Sequence, residues 1–462
     1  MFFRQYYLGC LSQASYLIGD ETTGRAVVID PLRDVAQYLD DAAANGLTIE
    51  RVIETHFHAD FLSGHLELAA ATGAVISYGD AAAGRAEFDV DYLANGAVVS
   101  LGTVELEIRA TPGHTPESLC VVIHDQGRNH APFGVCTGDT LFIGDVGRPD
   151  LLASVGVTAD ELARQLYRSL HTQLLTLPDD TRVFPAHGAG SACGKHLSSE
   201  TESTIGVQRH TNYALAPMTE DEFVAAVTSG QPAAPLYFAF AAQRNTAQRD
   251  TLDEHADVTE LTLDDALDRK AAGAVIVDTR SVTSFAHSHL VDAINVELDG
   301  RFAEYVGEVV PPKTPMILVT EPARAQEARN RLARIGFDDV IGALADVERA
   351  FATHPDLLAQ ASRLTADAFD ALRAADPNIV VIDVRGPGEF EFGAIPGALH
   401  IPLPELLARL DELDASAPTV VYCQSGVRSS IAASVMRAHG FTDVSDIIGG
   451  YASWASREAA AR

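Results

Sequence analysis

The stretch RVIETHFHADF, residues 51–61, decides how the first half of the chain is read. Its first five residues have the short apolar character of a strand, and they run directly into His56, His58 and Asp60. Side chains two apart on an extended chain share a face, so His56 and His58 can point the same way while Asp60 follows as the chain turns. The arrangement recurs downstream, where LEIRATPG (106–113) ends on His114, GVCTG (134–138) on Asp139 and RVFPA (182–186) on His187. Loops at strand ends are where a rigid scaffold gathers distant side chains, so these residues are expected to converge on a metal ion. Histidine and aspartate donors without a nearby cysteine exclude a thiolate-rich structural zinc site and suit zinc, manganese or ferrous iron.

Working outward, AVVID (26–30), AVIS (74–77), VELEI (104–108) and LCVVI (119–123) also read as strands. DVAQYLDDAAANG (34–46) and HLELAAATG (65–73) read as helices stopped by glycine. Sheets flanked by helices are therefore expected over residues 1 to about 210. Residues 217–260 carry prolines and polar residues but no strand run, and read as a connector packed on its neighbours.

Beyond the connector the chain repeats itself with a period of about 105 residues. VIVDTRSVTSFAHSHLVDAINVEL (275–298) aligns with VVIDVRGPGEFEFGAIPGALHIPL (380–403), and PMILVT (315–320) with PTVVYC (418–423). ARNRLARIGFDDVIG (328–342) aligns with AASVMRAHGFTDVSDIIGG (432–450). Each copy reads strand, turn, strand, helix, strand, helix, an α/β unit with a parallel sheet. Thr320 holds the place in the first copy that Cys423 holds in the second.

At roughly 150 residues per domain, the 462 residues imply two to four domains. A chain 47% hydrophobic and 21% charged is neither disordered nor collagen-like. Its net charge of −31 argues against nucleic acid and anionic membrane surfaces as partners. No apolar run approaches the roughly 20 residues of a membrane span, and Arg4 and Gln5 interrupt the apolar core that an export signal needs. Five scattered cysteines are too few for a disulfide framework, so a reducing, cytoplasmic setting is expected. Cys10, Cys120 and Cys136 read as interior cysteines of strands, while Cys193, six residues after His187, is near enough to line the same cavity.

The fifth cysteine opens a loop, Cys423 to Arg428, between a strand and a helix. A thiol there meets the successive backbone N–H groups of Gln424, Ser425, Gly426 and Val427 and the positive end of the helix dipole, and Arg428 adds a full charge. Both favour the thiolate, which makes a cysteine nucleophilic at neutral pH and stabilises a sulfane anion bound to it afterwards.

THFHADFLSGH (55–65), TPGHT (111–115), CTGDT (136–140) and FPAHG (184–188) together resemble the metallo-β-lactamase superfamily over residues 1 to about 210, which implies a four-layer αββα sandwich. Dizinc hydrolases of that superfamily carry H-x-H-x-D-H, and Phe61 stands in the last position here. That histidine helps hold a second metal, so its loss implies one ion rather than two. Gly147-Arg148-Pro149-Asp150 and FPAHGAGSACGK (184–195) are similar to the persulfide dioxygenases, particularly those fused to rhodanese domains. This resemblance implies one Fe(II) per chain held by His56, His114 and Asp139, with His58, Asp60 and His187 orienting or tuning those ligands. Arg148 then either holds an acidic end of the substrate or forms an ion pair supporting its own loop.

CQSGVR (423–428), with DVR (383–385), GAIPGA (393–398) and GGYASW (449–454), resembles the rhodanese sulfurtransferases over residues 362 to 462. Related phosphatases have one more residue between cysteine and arginine, so the spacing here implies sulfur transfer. The preceding copy resembles a rhodanese fold without its chemistry, because Thr320-Glu321-Pro322-Ala323-Arg324 has no thiol and Pro322 lacks an N–H donor.

The chain is thus expected to be a multidomain α/β enzyme. A metallo-β-lactamase-like dioxygenase domain with its connector spans 1–250, an inactive rhodanese-like domain 257–360 and an active rhodanese 362–462. Iron and O2 would oxidise a low-molecular-weight thiol persulfide to sulfite, and Cys423 would pass sulfane sulfur to that sulfite, giving thiosulfate and removing toxic sulfide and persulfide. The oligomeric state stays open. One alternative is a zinc thioester hydrolase of the glyoxalase II type with an appended sulfurtransferase. Another makes the carboxyl half a persulfide sensor.

Overall fold

The computed structural model describes residues 1–127, 131–151 and 156–460, so the last two residues of the expected third domain lie outside the described residues. The chain forms two compact units. One comprises Met1–Ala234, Phe238–Asp253 and Arg334–Gly336, and the other Pro235–Tyr237, Glu254–Ala333 and Phe337–Arg462.

In the first unit the apolar runs become two six-stranded sheets. One runs in space Phe2–Leu8, Gln13–Asp20, Arg25–Ile29, Thr48–Ile53, Val75–Gly79, Asp91–Leu93. The other runs Ser203–Thr204, Arg182–Pro185, Gly134–Gly138, Leu119–Asp125, Val104–Ala110, Val98–Ser100. The period-2 alternation of a strand divides the core. Tyr16, Ile18, Val27, Ile29 and Ile53 meet Leu106, Ile108, Val121, Ile123 and Cys136 between the sheets. Their chain neighbours Leu17, Ala26, Val28 and Val52 pack outward with Tyr38, Ala42 and Leu68 of helices Ala36–Ala44 and His65–Thr72. Cys120, Val122, Val135 and Val183 pack outward on the other side with Ala163, Leu166, Ile205 and Phe223.

This is the αββα sandwich. Strands covered on both faces explain the unbroken apolar runs, each large aliphatic side chain contributing about 1.5–3 kcal/mol of burial. The connector forms two helices, Glu220–Thr228 and Phe238–Thr246, the former opened by a Thr219–Glu222 capping box. Cys120 and Cys136 are buried in strands, but Cys10 is half-buried in the turn between the first two strands, where the pairing of Leu8 with Gln13 ends the ladder.

In the second unit the repeat appears as two five-stranded parallel sheets. The first runs Glu260–Leu261, Val340–Leu344, Met316–Val319, Val275–Asp278, Ile294–Asn295, and the second Ser362–Leu364, Val444–Ile447, Thr419–Tyr422, Val380–Asp383, Leu399–His400. The spatial order is the same in both. Asp278 pairs in register with Val319 and Asp383 with Tyr422, so Thr320 and Cys423 leave their sheets at equivalent points. Among the described residues no helix is long and apolar enough to cross a membrane.

Candidate metal centre and thiol loop

Three strand ends of the first unit bring His56, His114 and Asp139 together, all buried. His114 Nε2 stands 3.4 Å and His56 Nε2 3.9 Å from Asp139 Oδ2. Each ring is oriented through its other nitrogen. His114 Nδ1 donates to the Arg148 carbonyl at 2.8 Å. Thr55 Oγ1 donates to Asp30 at 2.9 Å and therefore accepts from His56 Nδ1 at 3.0 Å. Both Nε2 atoms are left as lone pairs facing Asp139. Burial, then the charge of neighbouring imidazoles, pushes His56 well below its usual range, which keeps that ring neutral.

His56 Nε2 and both oxygens of Asp139 are buried without a hydrogen-bond partner. An unpaired buried acceptor costs about 1–3 kcal/mol, and several facing one another cost more. A divalent ion among them removes that cost, so the donor set fits a metal. Close approach also constrains the neighbouring loop, since a β-carbon on Gly147 would stand 2.0 Å from the Asp139 carbonyl oxygen.

His58 turns away from this cluster. Its Nε2 lies 3.0 Å from Asp30 and 3.4 Å from Glu54. Burial opposes its charging, but Asp30 and Glu54 outweigh burial and hold His58 well above its ordinary value. The buried Phe61 ring packs on it at 4.3 Å between centroids. Asp60 and His187 approach Asp139 from another side, with His187 Nε2 3.2 Å from Asp60 Oδ2 and 3.4 Å from Asp139 Oδ1.

Cys193 joins Asp60 and His187 in a second group of ligand-type atoms. This corrects the cysteine-free donor set read from the strand ends, because the loop after His187 folds back. Arg148 is 2% exposed; its Nε and Nη2 donate to the two oxygens of Asp150, both at 2.7 Å, and its Nη1 to the Ala192 carbonyl at 3.2 Å. These contacts match the loop-supporting reading of Arg148, whose backbone N–H also donates to the Cys193 carbonyl at 2.9 Å.

Sequence reasoning missed Asn245, which is fully buried on the connector helix. Its Nδ2 donates to the His58 and Phe61 carbonyls at 2.8 Å, and its Oδ1 accepts from Ser63 N–H at 2.9 Å, so it fixes the loop carrying Asp60. No local pattern marks it. Asp30 and Glu54 were visible only as polar residues closing apolar strands.

In the second unit, strand Thr419–Tyr422 delivers Cys423, buried, to the start of helix Val427–Ala438. Gly426, at φ 101°, donates its N–H to Cys423 Sγ at 3.1 Å. Tyr451 N–H holds the Cys423 carbonyl at 2.7 Å, and a β-carbon on Gly450 would stand 2.2 Å from that oxygen. Gln424 Oε1 accepts from Arg385 at 3.1 Å, while Arg385 pairs with Asp383 and lies 4.2 Å over the Tyr451 ring.

Arg428 is anchored end-on by Glu389, whose two oxygens accept from Nη1 at 2.7 Å and Nη2 at 2.8 Å. Against the cost of burial, Glu389 and then Cys423 stabilise its charge. Glu389 is the residue that the loop motif alone did not reveal. Ser425 and Val427 complete the loop between Cys423 and Arg428. The helix is tied to the first repeat, where Asn295 N–H donates to Ser434 Oγ at 3.0 Å.

Residues 8–187 match the metallo-beta-lactamase superfamily, and residues 365–457 match the rhodanese-like domain. A hydroxyacylglutathione hydrolase of Polaromonas sp. is 36% identical over 174 residues, 37% of this chain and 61% of that protein. The mitochondrial persulfide dioxygenase of Homo sapiens is 31% identical over 214 residues, 46% of this chain and 74% of that protein. The crystal structure of a metallo-beta-lactamase from Staphylococcus aureus is 32% identical with a TM-score of 0.68, covering 75% of this chain and 99% of that one. The chain spans about half the length of other curated relatives it matches.

Proposed function

The chain belongs to the metallo-beta-lactamase superfamily and carries a rhodanese-like domain, and from that premise we propose that it oxidises a low-molecular-weight thiol persulfide and couples the product to sulfur transfer. The observation that carries this reading is the diversion of His58 into the Asp30–Glu54 pair. It leaves two imidazoles and one carboxylate, His56, His114 and Asp139, facing a common point. Two histidines and one carboxylate form the donor set of non-haem ferrous oxygenases. An Fe(II) ion held by His56, His114 and Asp139 would supply the activation of O2 that oxidation of the persulfide sulfur needs.

The chain's own contribution is orientation and exclusion of water. Thr55 and the Arg148 carbonyl fix the two rings, Asn245 fixes the loop beside them, and the cluster is buried. The overall change is RSSH + O2 + H2O → RSH + SO3²⁻ + 2 H⁺. At the thiol loop, Cys423 takes sulfane sulfur from a second persulfide, releasing RSH, and sulfite then accepts it as thiosulfate. Gly426 N–H and the neighbouring loop amides bind the anionic sulfur, with Arg428 held beside them by Glu389. The setting is cytoplasmic in keeping with five free cysteines.

Similarity to a hydroxyacylglutathione hydrolase favours a second reading, thioester hydrolysis. Metal content and oxygen uptake with glutathione persulfide and coenzyme A persulfide separate the two. About one iron per chain, with O2 consumed and sulfite formed, is expected, and Asp139→Ala loses iron and oxygen uptake while Cys423 still transfers sulfur. Thioester hydrolysis without oxygen consumption would overturn the dioxygenase reading.

A further inference from the structure

We propose that the repeat without a thiol completes the sulfur-transfer site of the other, its Glu308 acting as a positioning residue for Arg428 and, through it, for the anionic sulfur on Cys423. The inference rests on the sulfur-transfer half of the reading above. The two repeats are joined at the helix that carries Arg428. Asn295, fully buried at the end of strand Ile294–Asn295, donates its N–H to Ser434 Oγ at 3.0 Å, and its Oδ1 accepts from Ser430 Oγ at 3.3 Å. Its Nδ2 donates to the Asp278 and Arg280 carbonyls, both at 3.0 Å, so a fixed side chain of the first repeat holds helix Val427–Ala438 close to Arg428.

Beyond Asn295 the first repeat enters helix Phe302–Val309, which packs against the turn Leu403–Glu405 of the second. Arg301, Glu304, Tyr305 and Glu308 have the i, i+3, i+4, i+7 spacing that lines up side chains along one helix face. Arg301 is ion-paired with Glu304 and lies 5.5 Å from the Tyr305 ring centroid. Tyr305 and Glu308 both stand within the electrostatic reach of Arg428. The helix is pinned beside this stripe at Gly307, where a β-carbon would stand 2.3 Å from Cδ1 of the buried Tyr237. Glu308 is 8% exposed and, among the described residues, has no hydrogen-bond or ion-pair partner. Charged groups on the neighbouring turn and helix are taken elsewhere. Glu405 accepts from Arg409 at 3.2 Å, Arg331 donates to the Leu298 and Gly300 carbonyls, and Arg324 pairs with Asp299 and Glu327. With Arg301 shared by Glu304, Arg428 is the second cation that Glu308 meets.

Arg428 serves the sulfur only with the charge that carboxylates leave it, and Glu389 already meets the guanidinium end-on. A neutral Glu308 takes nothing further, whereas an ionised one sets a second carboxylate against the same guanidinium and draws its charge from the thiol loop. Burial, opposed by Arg301 and Arg428 and aided by Glu304, pushes Glu308 up to about 7, so the change falls near neutral pH. The transfer step itself keeps its chemistry. The Cys423 thiolate bonds to the outer sulfur of the persulfide, the donor's S–S bond breaks, and the departing thiolate takes the proton of that sulfur. The anionic Cys423 persulfide left behind is the species that Arg428 stabilises, and it is stabilised less as pH rises through the range in which Glu308 ionises.

The test is alkylation of Cys423 in the full-length protein by iodoacetate and by iodoacetamide, read from the peptide that contains Cys423. Both reagents consume the same thiolate, so the ratio of their rates cancels its ionisation and reports the positive charge beside the sulfur. In the wild type the iodoacetate-to-iodoacetamide ratio should fall about threefold between about pH 6 and about pH 8.5. It should stay level in Glu308→Gln, and be low and level in Arg428→Gln. Thiosulfate formed from glutathione persulfide and sulfite should follow, Glu308→Gln exceeding the wild type about threefold at about pH 8.5 and by much less at about pH 5.5. A wild-type ratio that does not change with pH overturns the proposal, as does a fall that persists in Glu308→Gln, and either leaves sulfur transfer standing. No thiosulfate from the wild type overturns the sulfur-transfer reading instead, and the alkylation ratio still decides whether Glu308 acts on Cys423.

Discussion

The two repeats of the second unit share strand order, register and an ion pair at the same strand, Asp278 with Arg280 in one and Asp383 with Arg385 in the other. They part at the end of one strand. In the second repeat Gly426 takes the left-handed turn and aims its N–H at the thiol. In the first, Pro322 has no N–H to give, Ala323 takes a left-handed conformation at φ 64°, and Thr320 stands where the thiol would be. The apolar strands and the ion pair are common to both repeats, whereas the thiol and the amide aimed at it belong to one short loop of the second.

Cys423→Ser is the largest expected break in that comparison. A hydroxyl stays protonated at neutral pH and forms no stable persulfide, so sulfur transfer should fall by at least about a thousandfold. Oxygen consumption should continue, with product shifting from thiosulfate toward sulfite. Thr320→Ala should change neither. Thiosulfate formation, corrected for spontaneous exchange, is the measurement, and a wild-type yield from Cys423→Ser would remove the relay.

The same contrast shows what the sequence made legible. Continuous apolar runs such as LCVVI and the 275–298 and 380–403 alignment carried the strands and the repeat, because burial on both faces and a repeated topology leave a linear trace. The convergence of His56, His114 and Asp139 was legible because each ends a strand. Asn245 was not, since its role exists only once a helix far along the chain folds back on the 58–63 loop. The diversion of His58 was hidden for a related reason. Spacing allows it to share a face with His56, but the buried carboxylates of Asp30 and Glu54 draw its ring elsewhere. Cys193 and Glu389 likewise depend on loop closure, which leaves no periodicity to read.

A smaller effect sharpens the comparison through acids. In the first repeat, helix Phe302–Val309 buries Glu308, whereas Asp411 and Glu412, after the second repeat's short helix Leu406–Arg409, are exposed. Burial pushes Glu308 up to about 7, against Arg301 and Arg428 and with Glu304 adding to the rise. A carboxyl raised above its unfolded value contributes stability below that unfolded value and loses it as pH rises through the folded one. Ionised Glu308 therefore costs stability above about pH 7, at most about 3 kcal/mol. Glu308→Gln should raise the melting temperature of the protein at pH 8 and much less at pH 5. An equal gain at both pH values would show that Glu308 does not titrate in this window.

The smallest expected effect is the most discriminating. Placing a thiol in the first repeat, Thr320→Cys in a Cys423→Ser background, restores the nucleophile at the equivalent strand end, because Asp278–Val319 and Asp383–Tyr422 share one register. The surrounding loop is not restored. Pro322 still lacks an N–H, and the left-handed residue is Ala323 rather than a glycine donating to sulfur as Gly426 does. The Arg324 guanidinium is drawn to Asp299 at 2.8 Å and to Glu327 at 3.0 Å, two exposed acids, while Arg428 is held beside its thiol by Glu389. With neither aligned amides nor a positioned charge to stabilise the anionic sulfur, the new thiol should transfer sulfur at less than about 1% of the wild-type rate. Rescue above that level, measured as thiosulfate formed from persulfide and sulfite, would mean that a strand-end thiol suffices, and the six residues from Cys423 to Arg428 would no longer account for the difference between the repeats.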